Sequence, residues 1–172
     1  MSRIRPTLSK GFTLLELMVT LLVLAVVLAI ALPNFGGVIR SNRVATTSNE
    51  FMAAVAYARS EAMRNNRGAV ICPSTNGQAC GGTWADGWIV WADRNGNGLQ
   101  EATETPLRVQ GRLVKQTAPD NTAIRFSPRG TVISGPATVV LQAEDCQSGE
   151  PYRRTFSVLG GGMVRMAKEA CA

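Results

Sequence analysis

The sequence contains no histidine, which removes the commonest general base and a favoured metal ligand. It also lacks a Gly-x-Ser-x-Gly elbow and a phosphate-binding glycine loop, so no catalytic constellation can be assembled from its motifs. No enzymatic activity and no cofactor are expected. Aromatic residues are scarce, at 6%, and no aromatic ladder runs among the basic residues of the C-terminal half, which counts against stacking on single-stranded nucleic acid. There is no internal repeat and no low-complexity linker. A length of 172 residues therefore suits one compact domain with an appendage. The first eleven residues hold no acid, only Arg3, Arg5 and Lys10. Part of the net charge of +6 thus belongs to the extreme N-terminus, and the high pI does not by itself indicate a nucleic-acid binder.

What the sequence does have is one long apolar run. From Phe12 to Leu32 there are 21 residues with a single charge, Glu16. As a helix this run spans roughly 30 Å, about one bilayer hydrocarbon core. The basic flank should remain cytoplasmic and send everything after Pro33 across the membrane. A secretory signal peptide has a shorter apolar core, so the helix is expected to be retained, and composition alone reads it as a signal anchor. Glu16 is the feature that an anchor does not explain. A charge near the bilayer centre costs at least about 2.5–3.5 kcal/mol, so a carboxylate there points to a function.

The residues around that glutamate are Lys10-Gly11-Phe12-Thr13-Leu14-Leu15-Glu16-Leu17. This string resembles the prepilin processing motif of type IV pilins and type II secretion pseudopilins. The resemblance implies cleavage by prepilin peptidase between Gly11 and Phe12, N-methylation of Phe12, and an assembly role for Glu16. The natural partner of Glu16 is the amine freed on Phe12, in the same chain or a neighbouring subunit. Pro33 falls where pilins often carry a proline, and proline bends or locally melts a helix.

Residues 35–67 read as a continuing helix, with Val38, Ile39, Phe51, Met52, Val55 and Ala62 as its apolar stripe and Gly68 as its C-terminal cap. From Ala69 the pattern changes to short β-rich pieces separated by turn residues. Strands are predicted over 69–72, 88–92, 105–113, 124–127, 131–134, 138–143, 154–159 and 163–167. A long helix packed against an antiparallel sheet makes the class α+β. The resemblance makes it a pilin fold, whose N-terminal helix spans the membrane in its first half. Four segments follow: a leader (1–11), a transmembrane helix segment (12–33), its amphipathic continuation (34–68) and a periplasmic β-rich domain (69–172).

Further pieces narrow the resemblance. Ala58-Arg59-Ser60-Glu61-Ala62, Asp86-Gly87-Trp88-Ile89-Val90 and Arg125-Phe126-Ser127-Pro128-x-Gly130 are similar to minor pilins of the FimU and FimT group and to GspH pseudopilins. That similarity covers nearly the whole chain. It implies a structural subunit of the inner membrane that joins other pilins or pseudopilins in a filament, near its tip. A subunit of a type II secretion pseudopilus is the alternative.

Export places the domain in an oxidising periplasm, where an even number of cysteines suggests disulfides. Four cysteines allow three connectivities, of which Cys72–Cys80 with Cys146–Cys171 is favoured. The rival, a four-thiolate zinc site, lacks the usual close pairing of ligands. Asp93, Asn95, Asn97, Gly98 and Glu104 match a calcium-loop pattern literally. Their flanks read as strands rather than helices, and Asn-Gly-Asn-Gly suits a tight hairpin connection, so a turn is expected and no metal. Residues 105–168 carry nine basic residues against four acids. Arg153, Arg154 and Arg165 are the candidate DNA contacts in that stretch. FimT-type pilins that bind DNA carry Gly-Arg-x-Arg, whereas this chain has Gly162-Met163-Val164-Arg165. A solvated basic face is the favoured reading, with DNA uptake as the rival.

Overall fold

The computed structural model describes residues 11–134 and 138–171, and the side chains of 32–34 are not described. The expected leader, up to Lys10, lies outside the described residues, as does any contact of the Pro33 side chain. The chain divides into two compact units, residues 1–39 and residues 40–172. Helix α1 (Leu14–Asn65) contributes to both, and its helical assignment continues through position 33. In the first unit, Leu14–Ala31 is an 18-residue window of mean hydropathy 2.8, none of it buried. Val38 and Ile39, expected in the buried stripe, are exposed as well.

The second unit holds the core. Its strands are β1 (Ala69–Pro73), β2 (Trp88–Ala92), β3 (Arg108–Gln110), β4 (Gln116–Thr117), β5 (Ile124–Phe126), β6 (Thr138–Ala143), β7 (Arg153–Val158) and β8 (Val164–Glu169). A short 3-10 turn, Trp84–Asp86, precedes β2. Among the described residues the β-structure forms two antiparallel four-stranded sheets, ordered β3-β2-β1-β5 and β4-β6-β7-β8. Sequence pattern had suggested one. Period-two alternation assigns faces but cannot say which strands share a ladder.

Phe51, Ala54, Val55, Ala58 and Ala62 form the buried stripe of α1 and pack with residues of both sheets, including Ile71, Val90, Phe126, Leu141 and Phe156. The spacing of three and four residues keeps these side chains on one helix face. Three fully buried alanines let the backbone come close to the strands. Phe51 sits at the junction: its ring lies 5.2 Å from Trp84 and 5.5 Å from Trp88, both edge-on, and 4.9 Å from Phe156. Edge-to-face pairs of this kind add about 0.5–1.5 kcal/mol each beyond their burial.

Several expected boundaries shift. The helix stops at Asn65, and Asn66 rather than Gly68 takes the left-handed turn, at φ 55°. The Asn65 side chain accepts the amides of Arg67 and Gly68 and donates to the Gly68 carbonyl, which holds the turn that follows the helix. The segment 105–113 pairs only over Arg108–Gln110. The segment 131–134 contributes a single bridge, Phe126 to Val132. Strand β4 has no sequence signal, since two residues are too few to show alternation.

Candidate functional site

At the N-terminal end, a Cβ added at Gly11 would meet nothing within 4 Å among the described residues, and Phe12 is 75% exposed. Thr13 caps α1. Its Oγ1 accepts the Glu16 amide at 3.2 Å, and its carbonyl accepts the Leu17 amide at 3.1 Å. Glu16 therefore stands at the third helical position, the acidic place in a capping-box sequence, where the positive end of the helix dipole favours a carboxylate. Thr13 was overlooked in the sequence, although Thr-x-x-Glu before an apolar run is the signal for it. Beyond this cap the large apolar side chains from Leu14 to Ile30 are exposed. An apolar surface of this size marks a membrane or protein contact.

In the second unit, sulfur bridges join Cys72 to Cys80 and Cys146 to Cys171, with Cα separations of 5.6 and 5.9 Å. The first closes the loop after β1. The second fastens the end of the chain beyond β8 to the turn after β6. Nearby, Arg40 of α1 lies 3.0 Å from Asp145 and 3.4 Å from Glu150, so the helix is held to the same turn.

The Asp93–Glu104 segment is part of the long loop between β2 and β3, not a tight hairpin. Its oxygens are turned onto its own backbone. Asp93 accepts the amides of Gly96 and Gly98, Asn95 accepts Asn97, Asn97 accepts Leu99, and Glu104 accepts Arg94 and Glu101. The Arg125 guanidinium lies 3.8 Å from Asp93. Among the described residues no group of three or more acidic or cysteine side chains is placed to hold a metal ion. The Asx-turn ladder accounts for the Asn-Gly-Asn-Gly spacing, because Asn and Asp side chains bond the backbone two residues on and glycine supplies the left-handed conformation.

The three candidate DNA contacts are not gathered into one patch. In the β7–β8 register Arg153 opposes Glu169 and Ser157 opposes Arg165, so Arg153 and Arg165 share one face of the sheet. Arg153 lies 3.5 Å from the Glu169 carboxylate. Arg154 points to the other face and is buried, donating to the carbonyls of Pro151 and Arg153. Burial lowers its pKa, the direction opposite to that of a solvated phosphate contact.

Arg59 is a residue whose role composition did not disclose. Its Nε donates to the Gly130 carbonyl at 3.1 Å. A Cβ on Gly130 or on Gly162 would meet the Arg59 side chain at 3.0 or 2.9 Å, and both glycines have positive φ, 74° and 77°. Gly130 belongs to the turn after β5 and Gly162 to the β7–β8 turn. One arginine of α1 thus locks a turn from each sheet. Five residues on, Arg64 forks onto the buried Glu61 at 2.9 and 2.8 Å, and that hydrogen bonding raises the pKa of Arg64.

A family profile described as type II transport protein GspH matches residues 47–162, about two thirds of the chain. The chain belongs to the GspH family. A second profile, the prokaryotic N-terminal methylation motif, matches residues 7–32. Two crystal structures of the type IV minor pilin FimU of Pseudomonas aeruginosa share the fold. One has a TM-score of 0.51 at 21% identity, covering 73% of this chain and 89% of the chain in that crystal. The other has 0.50 at 22% identity, covering 71% and 90%. No match was found among curated proteins.

As a GspH-family member with an N-terminal methylation motif, the chain is a pilin-like structural subunit, not an enzyme. It is anchored in a membrane by its apolar N-terminal helix, carries a periplasmic pilin domain, and assembles with other pilin-type subunits. The GspH-matching region begins inside α1, at Thr47, and includes the whole Arg59 lock. It ends at Gly162, so β8 and Cys171 lie beyond it.

Proposed function

We propose that this chain is a minor pilin that helps to initiate a type IV pilus and sits near the pilus tip. The observation that carries this reading is a methylation-type N-terminus leading into an apolar helical segment, Leu14–Ala31, with no buried residue. A surface of that kind is useful only in a bilayer or in a bundle of similar helices. In the inner membrane prepilin peptidase cuts between Gly11 and Phe12 and Phe12 is methylated. Glu16 then meets the new amine of Phe12, in its own chain or in a neighbour, as the subunit joins the bundle. The β domain caps the filament or recruits the next subunit. The FimU likeness in fold supports the pilus. The GspH profile supports a second reading, a minor pseudopilin of a type II secretion system.

Intact-mass measurement of the membrane-extracted protein tests the processing step. Wild type is expected to begin at methylated Phe12, and Gly11→Val to retain its eleven-residue leader, because a branched side chain before the scissile bond obstructs a site suited to glycine. Wild type that keeps residues 1–11 would sink the assignment. Recovery of the mature chain with sheared surface filaments supports the pilus. Its loss from filaments, with secretion failing when the gene is deleted, moves it to the secretion system.

A further inference from the structure

Three asparagines stand directly before a glycine: Asn76, Asn95 and Asn97. Asparagine is thermolabile, most of all before glycine, which has no side chain to hinder attack by its amide nitrogen. That nitrogen gives up its proton and bonds the asparagine Cγ. The carboxamide nitrogen then leaves as ammonia, taking up a proton in place of the one released, and a succinimide ring remains. Solvent water adds across one of the two ring C–N bonds to give aspartate or isoaspartate. The local sequence favours this reaction at all three sites, and all three asparagines are exposed. Neither motif nor exposure separates them.

The hydrogen bonds do. The Gly96 amide donates to Asp93 Oδ1 at 2.7 Å, and the Gly98 amide donates to Asp93 Oδ2 at 2.8 Å. Asp93 is buried, 4% exposed. Removing a proton from either amide would set a negative nitrogen against a buried carboxylate, and like charges so close oppose the step strongly. The Gly77 amide instead donates to the neutral Ser74 Oγ, at 3.0 Å, a weaker bond with no such repulsion. The carboxamides differ in the same sense. The Nδ2 atoms of Asn95 and Asn97 both donate to Glu101, and each Oδ1 accepts one backbone amide. Asn76 Oδ1 accepts two, from Gln78 and Ala79, each at 2.9 Å. Paired amides aimed at this oxygen stabilise the charge that develops on it as the nitrogen attacks Cγ.

We propose that Asn76 is the site of spontaneous deamidation on the folded subunit, and that the Asp93 carboxylate shields Asn95 and Asn97 from the same reaction. The inference concerns the globular unit and does not depend on the filament reading. Its failure would leave the processing experiment untouched, and the reverse also holds.

The test ages the full-length chain in detergent micelles in mildly alkaline buffer and follows each site by peptide mapping with tandem mass spectrometry. Digestion in heavy-oxygen water marks any deamidation that occurs during mapping. The reduced, urea-unfolded chain supplies the rate of each site without structure. There the three sites are expected to react at comparable rates. In the folded chain Asn76 should react at least about tenfold faster than Asn95 or Asn97, the factor associated with one hydrogen bond to a charged acceptor. Asp93→Asn removes the charge at nearly constant size. It should raise the rates at Asn95 and Asn97 at least about tenfold and leave Asn76 at its wild-type rate, which also reports that the fold is intact. Amide hydrogen exchange in the 15N-labelled wild type tests the shield without a variant, because base-catalysed exchange removes the same proton. The Gly96 and Gly98 amides should exchange more slowly than Gly77. Folded-chain deamidation that is equal at the three sites, or faster at Asn95 or Asn97 than at Asn76, overturns the proposal. Unchanged rates at Asn95 and Asn97 in folded Asp93→Asn, or Gly96 and Gly98 amides that exchange as fast as Gly77, overturn the role of Asp93.

Discussion

Gly162 shows how much can rest on the absence of one side chain. Its φ is 77°, and a Cβ there would strike the Gly130 carbonyl and crowd Arg59. Gly162→Ala therefore suffers backbone strain and displaces the arginine that joins α1 to both sheets. A loss of about 1–3 kcal/mol is expected, visible as a lower denaturant midpoint with an unchanged slope. Asp86 is a residue with a pH signature. The Thr83 amide and hydroxyl, each 3.0 Å from its Oδ2, lower its pKa. A carboxyl group with a depressed folded-state pKa stabilises above its unfolded value, near 3.9, and loses that contribution as pH falls through the folded value. Asp86→Asn should accordingly lower stability at neutral pH and flatten the acid limb of a stability–pH profile. An acid limb identical to wild type would count against this role. Arg59, Gly130 and Gly162 were visible in the sequence as a helix arginine and two turn glycines. Their meeting depends on contacts across 71 residues of chain, which no local pattern encodes.

At the scale of elements, the two parts of α1, one in each compact unit, carry different surfaces. Its N-terminal part is apolar on every side. Beyond Arg40 only a stripe is buried, and Phe51 anchors it among Trp84, Trp88 and Phe156. Phe51→Ala should cost about 3–5 kcal/mol, the usual range for deleting a large aromatic from a core. Chemical unfolding of the detergent-solubilised chain would measure it, and a loss below about 1 kcal/mol would show that the junction between the sheets packs independently of this ring. The sequence indicated both the apolar run and Phe51, because periodicity reports burial. It misjudged Val38 and Ile39, since an apolar side chain next to a membrane-type segment looks the same as one facing a domain core. The helix end was misassigned for a similar reason. Gly68 is the stronger general signal for a cap, yet Asn66 takes the left-handed conformation and the Asn65 side chain holds the turn after it.

For the molecule as a whole, the charge distribution separates architecture from DNA capture. The three candidate DNA contacts are divided between the faces of the β7–β8 pair, with Arg154 buried and Arg153 beside Glu169. Replacing Arg153, Arg154 and Arg165 with Gln should leave duplex DNA retention close to wild type. Arg154→Gln alone should lower stability, because that side chain bonds two backbone carbonyls. Filter retention at several salt concentrations checks this. Submicromolar, salt-sensitive affinity that disappears in the triple variant, with the salt slope falling as phosphate contacts are removed, would make DNA uptake the leading function.

The sequence alone determined the N-terminal half of this account. Lys10-Gly11-Phe12 and Glu16, the length of the apolar run and the change to β-pattern at Ala69 are local signals. Helix periodicity, membrane thickness and motif chemistry act over a few turns of chain, so they can be read without coordinates. The structure placed the strands in two ladders, set Arg59 between glycines of both sheets, and turned the calcium-like oxygens onto their own backbone. Each of these depends on which distant segments become neighbours. That choice is made by the packing of the whole core around α1, through contacts far apart in sequence and absent from any single window of it.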